Sequence, residues 1–374
     1  MRPATVRQCV VLADGENSGT PPFLRDCGGR PALAWMLREL VRFGVEECVL
    51  LAGPRAGEVP ERAEAIARAL PRPLRLICAE APAGAGSGGA LRSAGALLEA
   101  RFLLADANAP FDANLAALLA DAAGDGADVA AHLARPSGTI LGVFDRGILQ
   151  ALAPACSLEG DVLPALTACG RLAASGLEGE FFDLRTPSGF VRAEAGLSAR
   201  LLRPALLLDR DGVLNVDLGF VGGRERFVWM RGALEAARMA TAAGWHVLVA
   251  SNQSGVGRGF YDEAAVEDLF RFMAESCRAA GGTLDDWRYC PYHPEAPLAR
   301  YRRDSDRRKP APGMLLDLLS AWEVAPGRAV MIGDAETDMA AAAAAGVRGV
   351  RFPGNGPADL SAAVARVIRE TPCR

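Results

Sequence analysis

No apolar run in the 374 residues approaches the roughly 20 needed to cross a bilayer as a helix, so no membrane partner is expected. The opening Met1-Arg2-Pro3-Ala4-Thr5 passes straight into a strand-like Val6 to Leu12 without a cleavage site, so no signal peptide is expected either. Nine cysteines are scattered without repeated spacing, which suits reduced thiols in the cytoplasm better than a disulfide framework. A formal net charge of −4 offers no basic excess for nucleic acid. There is no internal repeat, and nothing fixes the oligomeric state. What remains is an ordinary globular composition, 50% hydrophobic and 23% charged, on a chain long enough for two domains with full cores.

Both halves alternate apolar strand-like runs with amphipathic helix-like segments, the pattern of parallel α/β sheets. In the first half Cys9 to Ala13, Cys48 to Ala52, Leu74 to Cys78 and Phe102 to Ala105 read as strands, with helices over Pro31 to Phe43 and Ser87 to Leu98. In the second, strands are expected at Ala205 to Asp209, His246 to Ser251 and Ala329 to Gly333. Helices are expected at Gly232 to Ala243, Asp262 to Ala279, Gly313 to Trp322 and Glu336 to Ala345. The Arg- and Pro-containing stretch Ala199 to Pro204 marks the boundary, giving domains 1–200 and 201–374.

Four segments of the second half end strands or open helices with chemically useful groups. Asp209 and Asp211 close the apolar run Ala205 to Leu208, where ligands bind in an open α/β sheet. One acid there could attack phosphorus while the other handles protons. Ser251-Asn252-Gln253-Ser254-Gly255 follows the next strand and offers a hydroxyl and backbone N–H groups to phosphate oxygens. Arg307-Arg308-Lys309-Pro310 fixes a lysine just before a helix, inside a basic stretch with Arg300, Arg302 and Arg303. Asp334 ends a third strand and, with Asp209, could complete an all-oxygen Mg²⁺ site; Asp338 is either an outer acid or an ordinary helix-start residue. Singly, each also fits a solvated turn or loop.

Together, the ordered segments resemble the haloacid dehalogenase-like (HAD-like) phosphatases. The wording Asp209-Arg210-Asp211-Gly212-Val213-Leu214-Asn215, Ser251-Asn252-Gln253-Ser254-Gly255-Val256-Gly257-Arg258-Gly259, Cys290-Pro291-Tyr292-His293-Pro294 and Arg308-Lys309-Pro310 resembles their heptose 1,7-bisphosphate 7-phosphatase group, with histidinol-phosphate phosphatases close by. The resemblance covers nearly all of Arg203 to Pro353. It implies Asp209 as nucleophile through an aspartyl-phosphate and Asp211 as general acid and base, with Ser251 and Lys309 stabilising the transferring group. It further implies Mg²⁺ on Asp209, Asp334 and the Asp211 carbonyl, and substrate contacts from Asp217, Asn252, Gln253, Ser254, Arg258 and Arg308. Many members of the group also hold a structural zinc. The matching positions here are Cys290, Tyr292, Ser305 and Arg307, with His293 one place off, so only one of four ligands survives and no zinc is expected. The loop Pro291 to Asp306 is then expected to be ordered by its arginines against Asp304, Asp306 and Glu295.

The first half resembles sugar-phosphate nucleotidyltransferases over roughly Arg7 to Ala195, in Gln8 to Gly15, Gly29-Arg30-Pro31, Gly84 to Leu91, Ser157-Leu158-Glu159 and Gly179 to Asp183. Its chemical motifs are eroded. Asp14 and Glu16 stand where phosphate-binding positive charge belongs. Asn108 aligns with the first metal aspartate, Asp106 is expected to point elsewhere on an extended chain, and only Asp183 matches the second metal acid. The stretch between Arg135 and Gly142 is too short for the sugar contact. The expectation is thus an α/β protein of two Rossmann-like three-layer domains, an N-terminal nucleotidyltransferase-like one without transfer activity and a C-terminal HAD-like one. The enzyme expected is a Mg²⁺-dependent phosphomonoester hydrolase acting on a small sugar phosphate, a heptose 1,7-bisphosphate first. Alternatives are histidinol phosphate or another small phosphomonoester, a bifunctional phosphatase and nucleotidyltransferase, and a non-catalytic binding protein.

Overall fold

A computed structural model describes residues 6–13, 20–54, 57–126, 128–135 and 139–371. The chain divides into two compact units, Met1–Leu201 and Leu202–Arg374. In the first, the strands are β1 (Gln8–Ala13), β2 (Glu47–Ala52), β3 (Arg75–Glu80), β4 (Arg101–Asp106), β5 (Phe111–Ala113), β6 (Ala131–Leu133), β7 (Leu141–Asp145), β8 (Leu172–Ala174) and β9 (Gly179–Phe181). Seven of them form one sheet in the order β3-β2-β1-β4-β7-β6-β8, while β5 and β9 pair separately. The first four are parallel and β7 runs antiparallel to β4, so this is a Rossmann-like half with an antiparallel extension.

The second unit holds β10 (Ala205–Leu208), β11 (His246–Asn252), β12 (Asp286–Cys290), β13 (Ala329–Gly333) and β14 (Arg348–Arg351), all parallel, in the order β12-β11-β10-β13-β14. Successive strand side chains point to opposite faces, and both faces of β10 are apolar because both are covered. Leu206 and Leu208 pack with residues of the helices Ala233–Ala242, Glu263–Ala279 and Leu360–Glu370. Ala205 and Leu207 pack on the opposite side with the helices Gly313–Ala321 and Glu336–Ala344. Three layers result. The order reverses between β10 and β13, and ligands of such sheets bind beyond the carboxyl ends at that point.

The expected elements occur with small shifts, and their misses have causes. The helix read to Leu98 stops at Ser93, and Gly95–Leu97 forms a single 3₁₀ turn. Strands β12 and β14 are sheet edges whose polar residues (Asp286 and Arg288, Arg348 and Arg351) break the apolar runs that mark their neighbours. The boundary stretch is itself helical as far as Leu201, the end of the helix Pro187–Leu201.

Candidate active site

Lys309 is the hub. Its ammonium lies 2.8 Å from Asp209 Oδ1 and 2.6 Å from Asp338 Oδ1, and donates to the Ala250 carbonyl at 2.8 Å. Its side chain is only 2% exposed. Burial pulls the ammonium down, but the two facing carboxylates more than offset it, so its pKa sits above the ordinary lysine value. Asp209 extends β10 by donating its N–H to Ile332 on β13, and its Oδ1 also accepts from the Arg210 N–H at 2.7 Å. Burial, despite Lys309, pushes its carboxyl up to about 7, and burial likewise raises half-buried Asp334 from its ordinary value.

Of the two roles open to Asp338, the structure gives it both. One oxygen faces Lys309, and the other accepts from the Ala335 N–H at 2.9 Å and caps the helix start. Carboxylate oxygens of Asp209, Asp334 and Asp338 lie within 4.8 Å of one another. Space for Asp334 comes from Gly212, which has a φ of +79° and where an added Cβ would stand 2.1 Å from Asp334 Oδ2. The Lys309 ammonium pairs with two of these three carboxylates, and the surplus negative charge in oxygen ligands suits a hard divalent cation.

Asp211 accepts two N–H groups of the Arg210 guanidinium, the Asn215 amide at 3.0 Å and the Gln253 amide at 3.0 Å. Its side chain keeps 22% exposure, so a substrate can reach it. Buried Ser251 accepts from Gln253 at 2.8 Å. Two of the expected substrate contacts face inward instead. Asn252 spends its amide on the Lys309 backbone, donating to the carbonyl and accepting from the N–H, both at 3.0 Å. Gln253 is 1% exposed and tied to Asp211, Ser251 and Tyr261. Residue type and place at the end of β11 identified both, but not the direction in which their amides turn.

The remaining substrate candidates lie around this core. Ser254 opens the short helix Ser254–Gly257, half-buried. Asp217 is exposed, its backbone tied to the Asn355 amide and its carboxylate to the Gly219 N–H. Arg258 and Arg308 are half-buried and have no ion-pair partner among the described residues; Arg258 Nε is buried without a hydrogen bond. Burial first, then the Arg258 charge, holds Arg308 below the ordinary arginine value, and burial followed by both guanidinium groups does the same to His293. This is a positive corner in need of an anion.

The loop after β12 is held differently from expectation. Its arginines reach carbonyls and rings rather than the acids: Arg302 donates to the Ala296 and Pro297 carbonyls, Arg308 to the Tyr292 carbonyl, and Arg303 stacks 3.8 Å from the Tyr292 ring centre. Arg307 pairs with Asp317. The Tyr289 and Tyr301 hydroxyls both donate to Glu263, and Cys290 is buried in the core.

In the first unit the chain turns at the end of β4 instead of staying extended, with the Ala109 N–H on the Asp106 carbonyl and the Asn108 N–H on its carboxylate. The turn brings Asp106 to Asp183 after all, through Arg185, whose guanidinium lies 3.2 Å from one and 2.8 Å from the other. Asn108 is buried beside it. The Gly84 to Leu91 segment becomes the helix Gly86–Ser93, with Ser87 and Ser157 both donating to Glu159. Asp14, Gly15 and Glu16 lie outside the described residues, as do Met1 to Thr5 and part of the stretch between Arg135 and Gly142. Among the described residues, no helix is long and apolar enough to cross a membrane.

A family profile described as HAD-hydrolase-like matches residues 306–355. The chain is 45% identical over 168 residues to the D-glycero-beta-D-manno-heptose-1,7-bisphosphate 7-phosphatase of Rhodopseudomonas palustris, covering 45% of this chain and 92% of that protein. Among solved structures, the D,D-heptose 1.7-bisphosphate phosphatase of B. bronchiseptica, complexed with magnesium and phosphate, is 30% identical and covers 45% of this chain and 99% of its own, with a TM-score of 0.40. HddC of Yersinia pseudotuberculosis is 17% identical and covers 51% of this chain and 99% of its own, with a TM-score of 0.43.

Proposed function

Since this chain belongs, through its second half, to the heptose-1,7-bisphosphate 7-phosphatase family of HAD-like phosphatases, we propose that it removes the 7-phosphate of a heptose 1,7-bisphosphate through a phosphorylated Asp209. The observation that carries the reading is the buried Lys309 ammonium clamped between Asp209 and Asp338, with an Asp334 oxygen within 4.8 Å of oxygens of both. An Asp209 oxygen bonds to phosphorus as the bond to the sugar oxygen breaks, and Asp211 gives that leaving oxygen its proton. Water then attacks the phosphorus, Asp211 takes up its proton, and Asp209 is released with inorganic phosphate. Lys309 and the Ser251 hydroxyl stabilise charge on the phosphoryl oxygens, while Asn252 pins the Lys309 backbone. Mg²⁺ on the Asp209 and Asp334 carboxylates and the Asp211 carbonyl would neutralise charge on the same oxygens.

The unpaired Arg258 and Arg308 favour a substrate with a second anionic group, with Asp217 and Ser254 as further contacts. That supports a bisphosphate over histidinol phosphate. The first unit is assigned no nucleotidyl transfer: Arg185 occupies with its own charge the place between Asp106 and Asp183, and Asn108 brings none. We place the enzyme in the cytoplasm.

The test is phosphate release from heptose 1,7-bisphosphate and histidinol phosphate with Mg²⁺, followed by phosphorus NMR to see which ester is lost. Preferential loss of the 7-phosphate is expected; faster histidinol phosphate cleavage would sink the substrate assignment. Pyrophosphate appearing with heptose 1-phosphate and GTP, ATP or CTP would overturn the reading of the first unit.

A further inference from the structure

We infer that Gln253, locked in one orientation by Tyr261, is a positioning residue that sets the direction of the hydrogen bonds made by Asp211 and Ser251. The inference rests on the reading of Asp211 as proton donor to the leaving group.

A primary amide has distinct ends, and which end faces a carboxylate decides between attraction and repulsion. Here the Tyr261 hydroxyl donates to Gln253 Oε1 at 2.9 Å. With its oxygen committed, Gln253 turns both N–H groups of Nε2 the other way, one to Asp211 Oδ2 at 3.0 Å and one to Ser251 Oγ at 2.8 Å. Ser251 Oγ accepts there, so its own proton remains for an oxygen of the transferring group.

The tyrosine is seated for this. Its ring fills a slot between Gly222 and Gly255, where an added Cβ would come within 2.1 Å and 2.3 Å of ring atoms. The Gln253 N–H is tied to the Cys290 carbonyl at 2.8 Å, so the backbone that carries the amide is held too. Rotating the amide by half a turn would set Oε1 against the Asp211 carboxylate and leave the Tyr261 proton without its acceptor.

The test uses Gln253→Leu and Tyr261→Phe in the full chain, with kcat/KM measured on heptose 1,7-bisphosphate and on p-nitrophenyl phosphate. Because kcat/KM covers the steps through phosphoryl transfer, it senses proton donation only when the leaving oxygen needs one. A fall of about 30-fold on the sugar phosphate for Gln253→Leu, at least about five times the fall on the aryl phosphate, is expected from general-acid loss in part. For Tyr261→Phe, which removes one oxygen and spares the fold, a smaller fall of about 5- to 10-fold with the same bias is expected. Equal falls on the two substrates, or none, in the folded Tyr261→Phe variant would overturn the inference. Asp211→Asn separates the two levels. If it leaves sugar phosphate turnover intact, the role of Asp211 is wrong; if it abolishes turnover while Tyr261→Phe shows no bias, only the role of Gln253 falls.

Discussion

Replacing Lys309 by Met keeps most of the length of the side chain, short of its last atom, and removes its charge. Two carboxylates then face each other with nothing between them. Their oxygens stand 2.8 and 2.6 Å from the ammonium, so they are no more than about 5.4 Å apart. At an effective dielectric constant near 20 the repulsion is about 3 kcal/mol, and breaking a buried charge cluster by removing one member costs about 3–5 kcal/mol. Proton uptake by one acid returns part of this, so Lys309→Met is expected to lose about 3 kcal/mol in urea unfolding with a chelator present, and at least about 10³-fold in turnover. The instructive variant is Lys309→Met with Asp338→Asn. Asparagine keeps an oxygen for the Ala335 N–H and relieves the repulsion, so more than half of the lost stability returns while turnover does not. If Lys309→Met unfolds within about 1 kcal/mol of wild type, or if the double variant is no more stable than the single, the clamp is not the source of the energy.

Asp209→Asn is expected to abolish phosphate release and leave the circular dichroism spectrum unchanged, because the change is of one atom at a strand tip; substantial turnover would rule out the nucleophile. Asn252→Ala removes two hydrogen bonds to the Lys309 backbone, so a loss of about 1–3 kcal/mol is expected in urea, with kcat falling and KM little changed. Glu263→Ala frees the Tyr289 and Tyr301 hydroxyls and should hasten proteolysis within residues 291–306, whereas a zinc chelator should not; cleavage provoked by the chelator would show that metal orders the loop. Leu207→Ala opens a cavity in a fully buried position and is expected to cost about 2–5 kcal/mol, readable as a lowered urea midpoint at unchanged KM.

The strand tips were legible because a short apolar run ending in acid is a local pattern: Asp209 and Asp334 could be named from the chain, and so could Lys309 from its fixed place before a helix. Direction was not legible. Asn252 ends β11 and Gln253 follows it before a short helix, and only the fold shows that their amides turn inward, toward the Lys309 backbone and toward Asp211. Arg210 reads as the spacer between two acids, yet it is buried, because the carbonyl of Val221, the Asp211 carboxylate and the face of Phe270 all receive its guanidinium. Tyr261 gives no sequence signal, since a lone tyrosine before a helix carries none; its role appears only with the two glycines that make its slot. Arg185 was missed in the same way, because the turn after β4 that brings Asp106 to it depends on hydrogen bonds two and three residues apart.

Residues Leu208, Val249 and Ile332 share one rung of β10, β11 and β13. Asp209 follows that rung directly on β10, Ser251 lies two residues beyond it on β11, and Asp334 two residues beyond it past the end of β13, on neighbouring strands about 4.8 Å apart. Their mutual distances are therefore a property of the backbone lattice, and no surface loop has to be well ordered to maintain them. On the proposed reading, substitutions in the loops around the rim can retune which ester is admitted without disturbing the reaction, whereas a slip of one residue in β10 would turn Asp209 to the far side of the sheet and end it.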